Sequence, residues 1–495
     1  MDAMQPYLNR RKRLAGEMRA RGGGIAVLFT APEVPRNRDS DFPYRWDSYF
    51  YYLTGFPEPE AALVLRVSDG CTESVLFCRE KNEEREIWDG FRFGPEAART
   101  QFAVDRALPF AALDEQMPQM MADQPAIYYA LGADARLDAR MQTWLAGVRA
   151  QSRAGIAAPS QAYDLRVLLD EMRLIKDPFE QDVMRRAAQI SADAHVRAMR
   201  TTRPGMREYQ IEAELLHEFR RQGSQFPAYG SIVAGGANAC VLHYRGNDGV
   251  LKDGELLLID AGCELDGYAA DITRTFPVSG RFSAAQRDLY DIVLASQGAA
   301  QKLTRPGRHF MEPHDAAVRV LAQGMIDCKL LKGSLDGVIE SGAYRRFYMH
   351  RTGHWLGRDV HDCGDYREPA GAAGGRRGHR GSAATGEQKP WRKLRPGMVL
   401  TIEPGLYVRG AADVPKAFHD IGIRIEDDAL VTERGCELLT AGVPKSADAI
   451  ESLMAERAEA AAATLRPRIV KRLPPDPGLP KRPRRDVEHA EAGPT

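Results

Sequence analysis

LLLIDAGCELDGYAADITRTF, from Leu256 to Phe276, is the stretch on which the reading of the chain turns. Two apolar runs meet at an Asp-Gly pair, the pattern of a β-hairpin with a tight turn. Each run carries one carboxylate, Asp260 and Asp271. A two-residue loop, Leu265-Asp266 or Asp266-Gly267, puts both carboxylates on one face, directly or diagonally opposed. In regular pairing, only an even number of loop residues achieves this. Like charges across a strand pair repel, and burying them unpaired costs several kcal/mol. A shared proton, a basic partner or a metal ion relieves the repulsion. On these residues alone, a metal and an aspartate left in solvent at its strand end stand as equal readings.

Further motifs favour the metal. FYMHRTGHWLGRDVHD gathers His350, His354 and His361, three of the eleven histidines. It lacks the HExxH spacing of a zincin. VLTIEPGLYV ends an apolar strand at Glu403, before a Pro-Gly stop, and GIRIEDD sets Arg424 and Glu426 two apart, on one strand face. Four acidic residues in or against apolar strands, with a histidine cluster nearby, point to one site rather than to separate accidents. Four carboxylates and one imidazole form a hard, oxygen-rich set that favours Mn²⁺ or a similar divalent ion over thiolate-bound zinc. They suffice for two ions about 3.5–4 Å apart, able to hold and deprotonate a water for hydrolysis.

The 495 residues exceed one ordinary core, so at least two domains are expected. Formal net charge is zero, which gives no global pull toward nucleic acid or membrane. No stretch reaches the roughly 20 apolar residues of a membrane span, and the basic start lacks the apolar run of a secretory leader. The seven cysteines form no CxxC pair, which suggests a reducing compartment, the cytoplasm. GIAVLFT, AALVLRV and AIYYAL read as buried strands of a first domain. The aromatic-rich stretch NRDSDFPYRWDSYFYYLTGF reads as a packed loop or as a contact surface. Asp177-Pro178-Phe179-Glu180 has the form of a capped helix start, and the helix is expected to run to about Arg200. GMVLTIEPGLYV starts a second hairpin and IGIRIEDDALVT is a third strand region. Helices alternate with these strands, without GxGxxG or P-loop, which argues against a nucleotide fold. Two segments stand apart: the Gly/Ala/Arg-rich stretch at 367–393, and a basic, proline-rich tail read as solvated and disordered.

At these residues the chain resembles the pita-bread metallopeptidases, the superfamily of methionine aminopeptidase, prolidase and aminopeptidase P. The order is theirs: LIDAG, ADITRTF, GHWLG, EPG, RIED. Resemblance is greatest to the aminopeptidase P family, through TGFPEPEA, EIWDGFRFG, SIVAGGANACVLHY, HWLGRDVHD and DIGIRIEDD. It implies an α+β fold: an N-terminal α/β domain over 1–173, then a pita-bread domain over 174–446 with a curved antiparallel sheet and flanking helices. Residues 447–495 would form a helix end and the tail.

The resemblance also implies the roles. Asp260 would bind one metal, with Asp271 and Glu426 bridging, and His354 and Glu403 completing the second. Glu403 would double as general base for attack by a metal-bridging hydroxide. His243 and His361 would hydrogen-bond the substrate and stabilise the tetrahedral intermediate. His350 would line the proline pocket, with Tyr407 at its border. Arg424 would steady the metal ligands. Trp88 would reach an active site of a neighbouring subunit in a tetramer or dimer. The implied reaction is release of the residue that precedes proline from Xaa-Pro-Yaa peptides, with two divalent ions, Mn²⁺ first among them. Prolidase activity on Xaa-Pro dipeptides is the near alternative, and a non-catalytic pita-bread binding protein the distant one. The 367–393 insert departs from the family, and its His379 matches no family ligand.

Overall fold

The structure is a computed structural model that describes residues 4–369 and 389–464, with side chains as far as Glu456. Most of the Gly/Ala/Arg-rich insert, His379 included, and the basic tail lie outside the described residues.

The N-terminal part is built on a six-stranded sheet of β1 (Gly24–Phe29), β2 (Ala62–Val67), β3 (Thr72–Cys78), β4 (Arg106–Pro109), β5 (Ala126–Tyr129) and β6 (Gln161–Asp164), in the order β4-β3-β2-β1-β5-β6. Strands β1 to β3 run antiparallel, while β4, β5 and β6 join in parallel. Both faces are covered, so alternate residues serve different cores. Leu28, Leu63, Leu65 and Leu76 pack with Leu14 and Met18 on one side, and Val27, Val64 and Val75 with Met117 and Trp144 on the other. The aromatic-rich stretch is in part a helix, Ser48–Thr54, capped by the Asp47 side chain on the Phe50 N–H.

Helix Pro178–Thr201 opens on the expected capping box, Asp177 and Glu180 each accepting the other's N–H at 2.9 Å. Asp177 also accepts from Arg10 of the N-terminal part at 2.9 Å, so the cap ties the two parts together.

The C-terminal part carries short antiparallel strands: β7 (Phe226–Pro227), β8 (Ile232–Gly235), β9 (Leu256–Asp260), β10 (Cys263–Leu265), β11 (Tyr268–Ala269), β12 (Thr273–Pro277), β13 (Val399–Ile402), β14 (Gly405–Val408), β15 (Ile421–Arg424), β16 (Asp427–Val431) and β17 (Cys436–Leu438). Helices Pro178–Thr201, Glu208–Arg221, Ala284–Leu303 and Glu312–Asp327 flank them over one large apolar core.

These fragments resolve into two ribbons. In the first, Leu256 to Pro277 keeps one register, from Asp260 opposite Thr273 to Leu265 opposite Tyr268. The loop is Asp266-Gly267, both with positive φ, as a two-residue hairpin turn requires. In the second, β13 pairs with β16 and β14 with β15. GMVLTIEPGLYV is therefore not one hairpin arm but two strands in different sheets, and IGIRIEDDALVT also splits in two. Pro404 breaks the first arm because it has no N–H to give the ladder. The register nonetheless carries across the break, with the Ile425 N–H donating to Pro404 O at 3.3 Å. Glu403 and Glu426 therefore stand opposite each other.

Candidate metal centre

Each ribbon contributes two carboxylates. On the first, hydrogen bonds Ala261 N–H to Ile272 O and Ala270 N–H to Cys263 O, both 3.0 Å, carry the register through the gap between strands. Asp271 is thus opposite Gly262, diagonal to Asp260 and on its face. A Cβ at position 262 would meet Ala270 O at 1.7 Å, so glycine alone lets the two arms approach this closely. The Tyr229 hydroxyl lies 2.5 Å from Asp260 Oδ1 and as near to Asp271 Oδ1. Its single proton can serve only one of them.

The second ribbon meets the first at Thr273. Its backbone O accepts from Glu426 N–H at 3.0 Å, and its Oγ1 donates to Glu426 Oε2 at 2.6 Å. Glu403 N–H donates to Thr352 O at 2.8 Å, which ties it to the segment bearing His354. His354 Nε2 lies 3.5 Å from Asp271 Oδ2 and 3.7 Å from Glu403 Oε1. Ligand atoms of Asp271, His354 and Glu426 all fall within 4.8 Å of one another, close enough to share an ion. Arg424 donates from Nη2 to Asp260 Oδ2 at 2.6 Å and from Nη1 to the Tyr407 hydroxyl at 2.9 Å.

Four carboxylates therefore meet one guanidinium and one imidazole, and the protonation equilibria record the excess. Burial, then the charge of Asp260, pushes the Asp271 carboxyl above its ordinary value. Burial lifts Glu403 to about 7 against the opposing pull of His354 and Arg424. Glu426 is driven well above the carboxylate range by burial and by the charges of Asp271 and Glu403. Burial disfavours the charged form of His354, but Asp271 and Glu403 outweigh it and raise the imidazole to about 9. Such a set fits a divalent cation: its hard oxygen donors converge, and added positive charge is what they lack.

The other three histidines of the expected site lie around this cluster. His350 Nε2 lies 2.8 Å from the Tyr407 hydroxyl, and burial, then Arg424, holds the ring neutral with a pKa of about 3. His361 packs edge-on against His354 with ring centres 4.3 Å apart. His243 is exposed, and it lies near enough to both His350 and His361 to oppose their protonation. A cleft of about 530 Å³ opens beside His361 between the two parts of the chain, lined by Pro43, Arg45, Phe226, Glu264 and Arg358 among others. Trp88 stands outside this assembly, 80% exposed on the helix Glu83–Asp89 beside exposed Ile87 and Phe91.

Sequence reasoning missed Tyr229 and Thr273. Thr273 was within reach, since the hairpin register sets it opposite Asp260. Tyr229 precedes β8 with no local pattern to mark it, and only the tertiary fold brings it between the aspartates.

A carboxylate pair from each of two ribbons, closed by a histidine and set beside a cleft that His361 borders, defines a metallohydrolase of the pita-bread class. The model of metallopeptidase family M24 matches residues 182–433, and that of the aminopeptidase P N-terminal domain matches residues 7–128. The chain is 46% identical over 451 residues to the Xaa-Pro aminopeptidase of Escherichia coli K12, covering 91% of this chain and 97% of that one. To the Xaa-Pro aminopeptidase of Haemophilus influenzae it is 43% identical, with the same coverage. Its fold superposes on Pseudomonas aeruginosa aminopeptidase PepP with a TM-score of 0.86 at 48% identity, over 92% of this chain and 98% of the other. Zinc-substituted E. coli aminopeptidase P, solved in complex with product, gives 0.85 at 45%, over 92% and 99%. The chain belongs to metallopeptidase family M24 and, within it, to the aminopeptidase P family.

Proposed function

We propose that the chain is a metal-dependent aminopeptidase that releases the N-terminal residue from peptides with proline in second position. The observation that carries this is the under-neutralised cluster of three buried carboxylates and half-buried Glu403, in a chain that shares nearly its whole length with Xaa-Pro aminopeptidases. Asp260, Asp271, His354, Glu403 and Glu426 would hold two divalent ions, with Mn²⁺ the ion favoured by the oxygen-rich set. When bound, such ions polarise the scissile carbonyl and make water nucleophilic at neutral pH.

The chain's own residues supply the rest. Glu403 takes the proton of the attacking water and delivers it to the prolyl nitrogen as the C–N bond breaks. A tertiary X-Pro amide must gain that proton to leave as an amine. His243 and His361 donate to the oxygen on which negative charge develops. His350, held by Tyr407, flanks the proline ring, a rigid group without N–H that general peptidases fit poorly. Arg424 keeps Asp260 oriented through its hydrogen bond to Oδ2.

We further assign the N-terminal domain to residues 1–173 and the catalytic domain to 174–446. The chain is assigned to the cytoplasm; no described helix is long and apolar enough to cross a membrane. Exposed Trp88, Ile87 and Phe91 suit a contact between copies in a dimer or tetramer.

Assay of an Xaa-Pro-Yaa tripeptide against an Xaa-Pro dipeptide tests the substrate class. Release of Xaa from the tripeptide is expected, and cleavage of the dipeptide alone would make the chain a prolidase.

A further inference from the structure

Glu208 is a buried carboxylate that the reaction above does not use. It is 1% exposed, in the first turn of helix Glu208–Arg221, and forms no ion pair among the described residues. Four donors converge on it instead. Oε1 accepts from Gly235 N–H at 2.8 Å and from Asn238 Nδ2 at 3.0 Å. Oε2 accepts from Gly249 N–H at 2.8 Å and from the Tyr244 hydroxyl at 2.9 Å. Its own backbone N–H donates to Gly249 O at 3.0 Å.

These partners are the two ends and the interior of one excursion of chain. Gly235 closes β8, Gly249 lies just before the return toward β9, and Asn238 and Tyr244 lie between. The excursion carries His243, next to Tyr244. Burial of a carboxylate without a cation is costly unless its oxygens are fully hydrogen-bonded, and here all four donors come from, or bound, this single loop. The helix N-terminus adds favourable potential for the negative charge. A Cβ at Gly249 would crowd both Glu208 oxygens at 3.0 Å, so glycine there lets the loop backbone close on the carboxylate.

We propose that Glu208 is a positioning residue, which fixes the loop 235–249 and thereby sets His243 over the substrate. It touches neither substrate nor metal and acts only through the loop. This inference rests on the reading of His243 as a substrate-contacting group.

Glu208→Gln tests it. The amide keeps one oxygen and turns a donor toward Gly249 N–H or its counterpart, so one end of the loop is released. With metal content unchanged, kcat/KM on an Xaa-Pro-Yaa peptide should fall about tenfold, the scale expected when a reacting group is displaced. Hydrogen exchange of segment 235–249, followed by mass spectrometry, should quicken. In a His243→Ala background the same substitution should cost nothing further, since the residue it positions is gone. Tyr244→Phe, which deletes one donor and spares the fold, should give a smaller loss that also vanishes with His243. An equal loss with and without His243, or no loss in its presence, would overturn the proposal. If His243→Ala alone leaves kcat/KM unchanged, the assignment of His243 falls instead, and the role of Glu208 with it.

Discussion

Glu426 and Asp427 are chain neighbours, both buried, yet they live in opposite electrostatic worlds. Asp427 faces Arg274 at 2.7 Å and Lys445 at 2.6 Å, and also accepts from Gln297 at 3.0 Å and Thr440 at 2.7 Å. Burial works against its charge, but Arg274 and Lys445 carry its pKa below the ordinary range. Glu426, one residue earlier, faces three other carboxylates and is pushed far the other way. The strand thus separates a neutralised face, which holds the sheets to their helices, from a face left short of positive charge. The shortage marks the site. A structural cluster carries its own cations, whereas a binding cluster leaves them to be supplied.

Paired isosteric substitutions break the comparison most strongly. Glu426→Gln should cost at least ~1,000-fold in kcat/KM and lower the metal content per chain. The metal-free chain should lose no stability, since one repelling charge is removed; elemental analysis and thermal unfolding follow the two effects. Asp427→Asn should do the reverse, costing about 3 kcal/mol in unfolding free energy because Arg274 is left buried and poorly paired. Its metal content should stay intact.

The pH dependence sharpens the same contrast. Glu403 and His354 have folded-state pKa values raised to about 7 and about 9. Their contribution to the stability of the metal-free chain is present below their unfolded values and lost as pH rises through the folded ones. Asp427, with a lowered pKa, contributes above its unfolded value and loses that contribution only as pH falls through the folded one. The unfolding midpoint of chelator-treated protein should therefore drop between about pH 4.5 and pH 9, first through Glu403 and then through His354, and saturating metal should flatten the decline. A flat metal-free profile would show that the carboxylates do not share their burden in this way.

The smallest effect concerns the border of the site. Tyr407→Phe removes one hydroxyl from His350 and from Arg424. It should lower kcat/KM by about two- to tenfold, mainly through KM for the proline-containing substrate, as expected for one hydrogen bond.

The first ribbon was legible in the sequence because its information is local. Period two fixes which residues share a face, so the placement of Asp260 and Asp271 on one face follows from counting, while the choice of Asp266-Gly267 as the loop makes it diagonal. The second ribbon was legible only in part. Pro404 marks a break, but nothing local shows that the pairing resumes in the same register beyond it, with Glu403 opposite Glu426. Long connections lie between those arms and the first ribbon, and their docking at Thr273 is a tertiary event. Tyr229 and Glu208 escaped for the same reason, since each acts across loops that no short-range pattern predicts.

Metal titration of the depleted chain, with activity on an Xaa-Pro-Yaa tripeptide followed at each addition, tests the central claim most directly. Activity should be absent at the start and rise with bound Mn²⁺ toward two ions per chain. Full hydrolysis by a chain shown to carry no metal would contradict the account.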